Sequence, residues 1–391
     1  MSAKDTGNRW TGRQRVLAAF EKTRPDRVPR FDQTICIEVA GAVMGREVLV
    51  GGGTLRFREV EARFKSPAAG AEFEERLLGD VVSFYRALDY DMARLPWRDS
   101  RTASRKLDEY TYLFGNDNGG EPWEIYRYDP RTCNWHAADT WLSGGNVERL
   151  IAWLERESRR WTGPDTNPAR MDVQKRFRAQ LGEDLAVCAT VGYLGIPMWE
   201  PAWLMALELA PELVEEDLDH QTAQGLEDLA LAAEIGIDIA LAGGDFCTKT
   251  GPVFSPSTFE RLFLPRLKKL VDKCNQVGIR YVFRTDGVTW PVAGMLFGES
   301  GVHAYGEIDY GAGMRLKQLR ESFPDLTLFG NLDCGGALIF GTAEEVRGVV
   351  RENLEETGGL GHVFGSSNAI MPETPPENYL AMLDEAARFC I

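Results

Sequence analysis

The chain has 391 residues, room for one large α/β barrel with insertions or for two ordinary domains, and its 44% hydrophobic content suffices for a sizeable core. A net charge of −15 argues against nucleic acid or an anionic membrane as the main partner. Seven scattered cysteines (Cys36, Cys133, Cys188, Cys247, Cys274, Cys334 and Cys390) show no Cys-x-x-Cys spacing, the pattern of reduced thiols in a cytoplasmic protein.

The first ten residues are polar and carry no apolar signal core. No stretch approaches the roughly 18 uncharged apolar residues of a membrane helix. Thr11 and Gln14 fit a capping box ahead of Val16, Leu17 and Phe20, which predicts a helix over 12–22 that Pro25 ends. Strands are expected over 27–33 and over 90–96. From 97 to 147 the texture changes: Tyr110-Thr-Tyr-Leu-Phe and Trp123-Glu-Ile-Tyr-Arg-Tyr alternate around Asn116-Asp-Asn-Gly-Gly, a hairpin signal. That segment reads as a β-hairpin insertion near a barrel mouth.

Helical pattern over 145–179 is interrupted at Pro164 and Pro168. A strand at 185–191 follows, then two helices over 199–233 split at Pro211, and a strand at 237–242. Ser257 and Glu260 suggest a capping box for a helix over 256–277. Next come a strand at 279–283, a helix over 288–298, a strand at 302–307, a helix over 311–322 and a strand at 326–329. Thr342 and Glu345 cap a helix over 342–357, and a strand follows at 362–365. Thr374, Pro375 and Glu377 open the last helix, with a proline at its first position. Eight strands, beginning near 28, 90, 185, 237, 279, 302, 326 and 362, alternate with helices. This argues for a (β/α)8 TIM barrel forming one domain over 1–391, rather than an open two-layer sheet.

Barrel chemistry gathers at the C-terminal strand ends. Those ends hold Asp32, Tyr193, Asp245, Lys249, Arg284, Asp286, Glu307, Asn331, Asp333, Ser366, Ser367 and Asn368. Carboxylates crowded into one pocket need a cation, a shared proton or hydrogen-bond donors. Arg284 and Asp286, two apart in extended chain, face the same side. Either Arg284 holds a substrate carboxylate while Asp286 orients it or accepts a proton, or the two serve the scaffold. Asp245, after Gly243 and Gly244, is an anchor or general base, or else caps the next turn. Asn331 and Asp333 are ordinary turn residues. His136 lies in the insertion within reach of the mouth, His220 on an acidic helix, and His303 and His362 at the bottom of the barrel. No histidine pair has zinc-ligand spacing. Trp199, Trp203 and Trp290 read as core.

Several segments together resemble the uroporphyrinogen decarboxylase superfamily, most closely its branch of corrinoid-dependent methyltransferases. They are Arg13-Gln-Arg-Val-Leu-Ala-Ala-Phe with Arg24-Pro-Asp-Arg-Val-Pro, Gly251-Pro-Val-Phe-Ser-Pro-Ser-Thr-Phe, Thr285-Asp-Gly, Gly330-Asn-Leu-Asp and Phe364-Gly-Ser-Ser-Asn-Ala-Ile. The resemblance implies a (β/α)8 barrel and either decarboxylation of a tetrapyrrole or methyl transfer among small methylated compounds, corrinoids and thiols. It places Tyr193 near the family's active-site tyrosine. Zinc-dependent members carry His-x-Cys and a later Cys where this chain has Arg284-Thr-Asp286 and Ser366-Ser-Asn368, so thiolate-bound zinc is not implied. The decarboxylases' propionate-gripping Arg-Gln-Ala-Gly-Arg segment is replaced by Arg30-Phe-Asp-Gln33, which disfavours the tetrapyrrole reaction.

The expectation is a cytoplasmic enzyme, monomeric or homodimeric. It would transfer a methyl group from a small methoxylated or methylated substrate, aromatic or acidic, to a corrinoid (cobalamin) that is free or borne by a separate protein. Asp286, Asp245, Glu307 and Tyr193 are the catalytic candidates. Arg284, Asp32, Asn331 and Asn368 are the substrate-binding candidates, and no metal ligands are assigned. The alternatives are a lyase acting on a porphyrin-like or aromatic carboxylate and a non-catalytic binding protein on a decayed barrel.

Overall fold

A computed structural model describes residues 10–389 and 391. The polar segment 1–9 and Cys390 lie outside the described residues. Seven parallel strands stand side by side in chain order: β1 (Met92–Arg94), β2 (Ala186–Ala189), β3 (Ile239–Gly243), β4 (Arg280–Arg284), β5 (Ala304–Gly306), β6 (Thr327–Phe329) and β7 (His362–Val363). The eighth place belongs to the segment around Arg30. Arg30 bridges Phe364 in parallel, Phe31 N donates to Phe364 O at 2.9 Å, and Phe364 N donates to Pro29 O at 2.8 Å. On the other side Asp91 N donates to Arg30 O at 3.1 Å. The sheet therefore closes on itself as a TIM barrel. The strand expected over 27–33 shrinks to a bridge because Pro29 has no N–H to extend the ladder.

Alternation along the strands fills the barrel interior. Met92, Ala186, Cys188, Ile239, Leu241, Val282, Ala304, Phe329 and Val363 pack together there with Phe31. Each large apolar side chain so buried contributes about 1.5–3 kcal/mol. Two residues further along the same faces come Arg94, Thr190, Gly243, Arg284 and Gly306, so these form the layer nearest the mouth.

The capping boxes at Thr11 and Thr342 form as expected, as does the helix break at Pro211. Other expectations need correction. Ser255, not Ser257, caps the helical run that starts at Pro256, since its hydroxyl accepts from Thr258 N. Thr374 caps nothing: the last helix begins at Pro376, and the buried Thr374 hydroxyl has no partner. The helix expected over 288–298 is instead a 3-10 turn, Trp290–Val292, followed by the π turn Gly294–Glu299, because Pro291 removes a backbone donor. Three helices, Ile37–Met44, Gly52–Lys65 and Pro67–Ala87, fill a stretch to which the sequence reading assigns no element.

Between β1 and the helix Val147–Arg160 lies a four-stranded antiparallel sheet, Arg105–Lys106, Thr111–Phe114, Glu124–Asp129 and Asn134–Thr140. It packs Tyr112, Phe114, Tyr128 and Trp135 on Phe57 and Val60 of the helix Gly52–Lys65. Phe57 stacks on Tyr128 with ring centroids 4.5 Å apart. The turn at Thr132–Asn134 faces the loop Ala369–Pro372 across a cavity of about 280 Å³, so the sheet borders the barrel mouth. Among the described residues no helix is long and apolar enough to cross a membrane.

Candidate functional site

Arg284 closes β4 facing inward, and both of its neighbours in register, Gly243 and Gly306, lack side chains. A Cβ at Gly306 would lie 3.3 Å from Arg284 Cγ, so the missing side chain makes room for the arginine stem. The guanidinium then reaches across the mouth. Its Nη1 donates to Glu307 Oε1 at 2.7 Å and to Gln33 Oε1 at 2.9 Å. Gln33 Nε2 in turn donates to Glu307 Oε1 at 2.6 Å and to Asn368 Oδ1 at 3.0 Å. Asn368 Nδ2 donates to Asp286 Oδ2 at 2.7 Å. One continuous chain of hydrogen bonds thus joins Arg284, Glu307, Gln33, Asn368 and Asp286. Arg284 and Asp286 do not pair directly; Asn368 and Gln33 stand between them.

Electrostatics follow from this crowding. Burial, with Glu307 next in importance, pushes the Asp286 carboxyl up to about 7, against the bond from Asn368. Asp245 is pushed up to about 6 by burial and by Glu307, with Arg284 opposing. Asp245 keeps an exposed surface in the mouth while protein surrounds its charge. Two acids therefore titrate near neutrality beside one buried ion pair. That is the condition under which a carboxyl group can donate a proton at physiological pH. Tyr193 is 41% exposed, and burial of its hydroxyl together with the charge of Asp245 raises its pKa. A mouth cavity of about 490 Å³ is lined by Asp286, Asn368, Ser367, Cys247, Cys334 and Lys249, among others.

Other predicted residues are committed to contacts within the protein. Asp32 is 1% exposed: Oδ1 accepts from Ser366 N at 2.7 Å and from Ser366 Oγ at 2.6 Å, and Oδ2 accepts from the Tyr90 hydroxyl. It ties the closing segment to the end of β7 and has no oxygen turned toward a ligand. Asn331 is equally buried and donates to Ile308 O and Met314 O, holding two loops together. Asp333 accepts from Gly335 N in its own turn, and Lys249 pairs with Asp309 at 2.9 Å. Arg30 is buried against Asp89 and Leu383 O, away from the mouth.

The histidines stay structural. His303 and His362 are each held down near 4 by burial; the first accepts from Tyr281 N, and the second lies between Thr357 and Gly330 O. His220 stacks on Trp161, and His136 is exposed on the antiparallel sheet. Trp203 is buried as expected, but Trp199 is 68% exposed: it lies in the loop after β2, not in the core.

Sequence reasoning passed over Gln33, the hub of the hydrogen-bond chain, and Arg94 and Trp97 at the end of β1. The signal for Arg94 was present, two residues beyond inward-facing Met92. Gln33 gave none, because its place depends on the closure bridge. Among the described residues no group of three or more His, Cys, Asp or Glu side chains is placed to hold a metal ion. The position of the first soft ligand is filled by a cationic arginine that repels a metal, so the donor set does not fit thiolate-bound zinc.

Residues 203–389 match the family model described as Uroporphyrinogen decarboxylase (URO-D). Over 179 residues the chain is 29% identical to "Uroporphyrinogen decarboxylase" from Geotalea uraniireducens (strain Rf4), covering 45% of this chain and 49% of that protein. The matched part of the chain is thus similar to uroporphyrinogen decarboxylases. A protein of the same name from Myxococcus xanthus (strain DK1622) is 26% identical over 216 residues, 52% of this chain and 58% of the relative. The chain spans about half the length of most of the curated relatives it matches. The fold is shared across nearly all of both chains with a solved "methyltransferase from Methanosarcina mazei". Its TM-score is 0.62 at 18% identity, covering 97% of this chain and 99% of that one.

Proposed function

We propose that this chain is an enzyme that removes a methyl group from a small methoxylated or methylated acid and passes it to a corrinoid, free or borne by a separate protein. The observation that carries the reading is the pair of raised carboxyls, Asp286 and Asp245, beside the Arg284–Glu307 ion pair at the barrel mouth. A methyl ether leaves as an alkoxide unless its oxygen is protonated. In this reading the Asp286 carboxyl gives its proton to the ether oxygen as the carbon–oxygen bond breaks. The resulting carboxylate is held by Asn368 Nδ2. Arg284 and Gln33 fix the polar end of the substrate, and Tyr193 covers the open side. When bound, a reduced corrinoid supplies the methyl acceptor. Exposed Tyr193, Trp199, Phe340 and Met371 all come from segments that follow barrel strands, the face on which a corrinoid carrier would have to dock. No step of the reading runs through a metal, and the donor set does not fit thiolate-bound zinc.

The names of the curated relatives favour a second reading, decarboxylation of an aromatic or porphyrin-like acid. There Asp286 would steady a protonated ring. Asp32 is unsuited to that role because both its oxygens are taken. The two readings separate in one experiment. The chain is incubated with reduced cobalamin and a panel of methoxylated benzoates, and separately with uroporphyrinogen. Methylcobalamin formation that needs the chain supports methyl transfer. Carbon dioxide release from uroporphyrinogen with no methylcobalamin overturns it.

A further inference from the structure

Arg94 is a charge without a counter-charge. It is 3% exposed at the inner end of β1, and among the described residues no carboxylate lies within ion-pair range of it. Its Nε donates to Leu95 O at 3.0 Å and Nη2 to Thr190 Oγ1 at 3.2 Å, while Nη1 has no partner. The other guanidinium of this layer, that of half-buried Arg284, also has a buried donor unused, Nε. The two cations share one aromatic neighbour: the Trp97 ring lies 4.8 Å from Arg94 Cζ and 5.2 Å from Arg284 Cζ. The proximity of Arg284, added to burial, holds the Arg94 guanidinium down to about 10. Burying an unpaired guanidinium beside a second one is expensive, and a fold retains such an arrangement when something else balances it.

We infer that Arg94 and Arg284, flanking Trp97, form a two-arginine clamp for the carboxylate of a planar acid. The two unpartnered nitrogens, one on each guanidinium, can each take one oxygen of a carboxylate. The planar face of Trp97 suits a ring attached to that carboxylate. This deepens the proposed function, on which its choice of substrate class rests, by assigning the acid-binding end to Arg94 as well as Arg284.

The test uses the full chain with benzoate and its neutral isostere benzamide as probes, by calorimetry and thermal unfolding. The parent chain is expected to bind benzoate in preference to benzamide and to melt higher with it. Arg94→Met should lose benzoate affinity by at least about tenfold with little change toward benzamide. Without ligand, Arg94→Met should melt at or above the parent, because an uncompensated buried charge has been removed. A purely structural arginine gives the opposite result: a lowered melting temperature and unchanged benzoate affinity, which overturns the clamp. Arg94→Lys keeps the charge but not the fork, and should fall between parent and Met variant. Absence of benzoate binding by the parent at millimolar concentration also overturns it. If benzoate binds through Arg94 but no methoxylated acid yields methylcobalamin, the methyl-transfer reading fails and the clamp stands. If a neutral methyl ether turns over while benzoate is ignored, the clamp fails and the reading stands.

Discussion

Asp286 combines a raised carboxyl with a single side-chain hydrogen bond, from Asn368. As a proton donor to a leaving oxygen it should contribute to turnover and little to binding. Asp286→Asn is therefore expected to lower kcat by about 10²–10⁴-fold with KM changed by no more than a few-fold, measured at saturating substrate. A parallel loss of binding would instead make it a substrate contact. Its titration also predicts a stability effect. The folded carboxyl sits near 7, above the roughly 3.9 of an unfolded aspartate, so between those values the folded chain holds a proton that the unfolded chain has released. Raising the pH through that window must then favour unfolding, and stability falls until the folded group has ionised. The Asn variant has no such proton to lose. Its urea midpoint should gain on the parent's from pH 5 to pH 8, and a constant difference would show that Asp286 is not shifted. The acids at this site were legible because strand ends in a barrel are predictable. Gln33 was not, since its position is set by a bridge between segments more than 300 residues apart.

At the scale of elements, the register of β3, β4 and β5 sets the site. Arg284 sits opposite Gly243 on one side and Gly306 on the other. Gly243 has φ +121, where side chains are strained, and a Cβ there would lie 2.3 Å from Arg284 O. Gly243→Ala should consequently cost about 2–4 kcal/mol in urea unfolding and shift Arg284 off Glu307. A variant of parental stability with unchanged acid binding would show that the strands have slack the register denies. Element order was readable because apolar runs alternate with capped helices, and most strands fall within a residue or two of their expected places. Misreadings cluster where proline overrides periodicity. Pro29 cuts the first strand to a bridge, and Pro291 turns an expected α-helix into 3-10 and π turns. The three helices within 37–87 went unread although Ser66 and Pro67 carry an N-cap signature, with the Ser66 hydroxyl accepting from Ala69 N.

Across the whole molecule, apolar packing separates into a barrel interior, a large cluster between strands and helices, and a third cluster under the antiparallel sheet. The third touches the rest through the helix Gly52–Lys65, which supplies Phe57 and Val60. An ion-pair network beside it ties the same helix to the loop after β1: buried Glu59 accepts from Arg98 and Arg63, and Glu74 accepts from both arginines as well. Freeing the sheet would strip Glu59 of Arg98 but leave Arg63 in place, so its charge stays compensated on the helix. A barrel sealed by its own closure bridge does not need the sheet for its strand hydrogen bonds. The sheet should accordingly open as a unit at lower free energy than the barrel. Native-state hydrogen exchange is the measurement: amides of Thr111–Phe114, Glu124–Asp129 and Asn134–Thr140 are expected to exchange together, ahead of those in β3 and β4. Because Trp97 lies on the segment leading into the sheet and covers Arg94 and Arg284, benzoate should slow this opening along with slowing exchange at the mouth. Exchange of sheet and barrel at one common free energy would mean that the two fold as a single cooperative unit. The antiparallel sheet would then be part of the barrel's stability and not a cover resting on its rim.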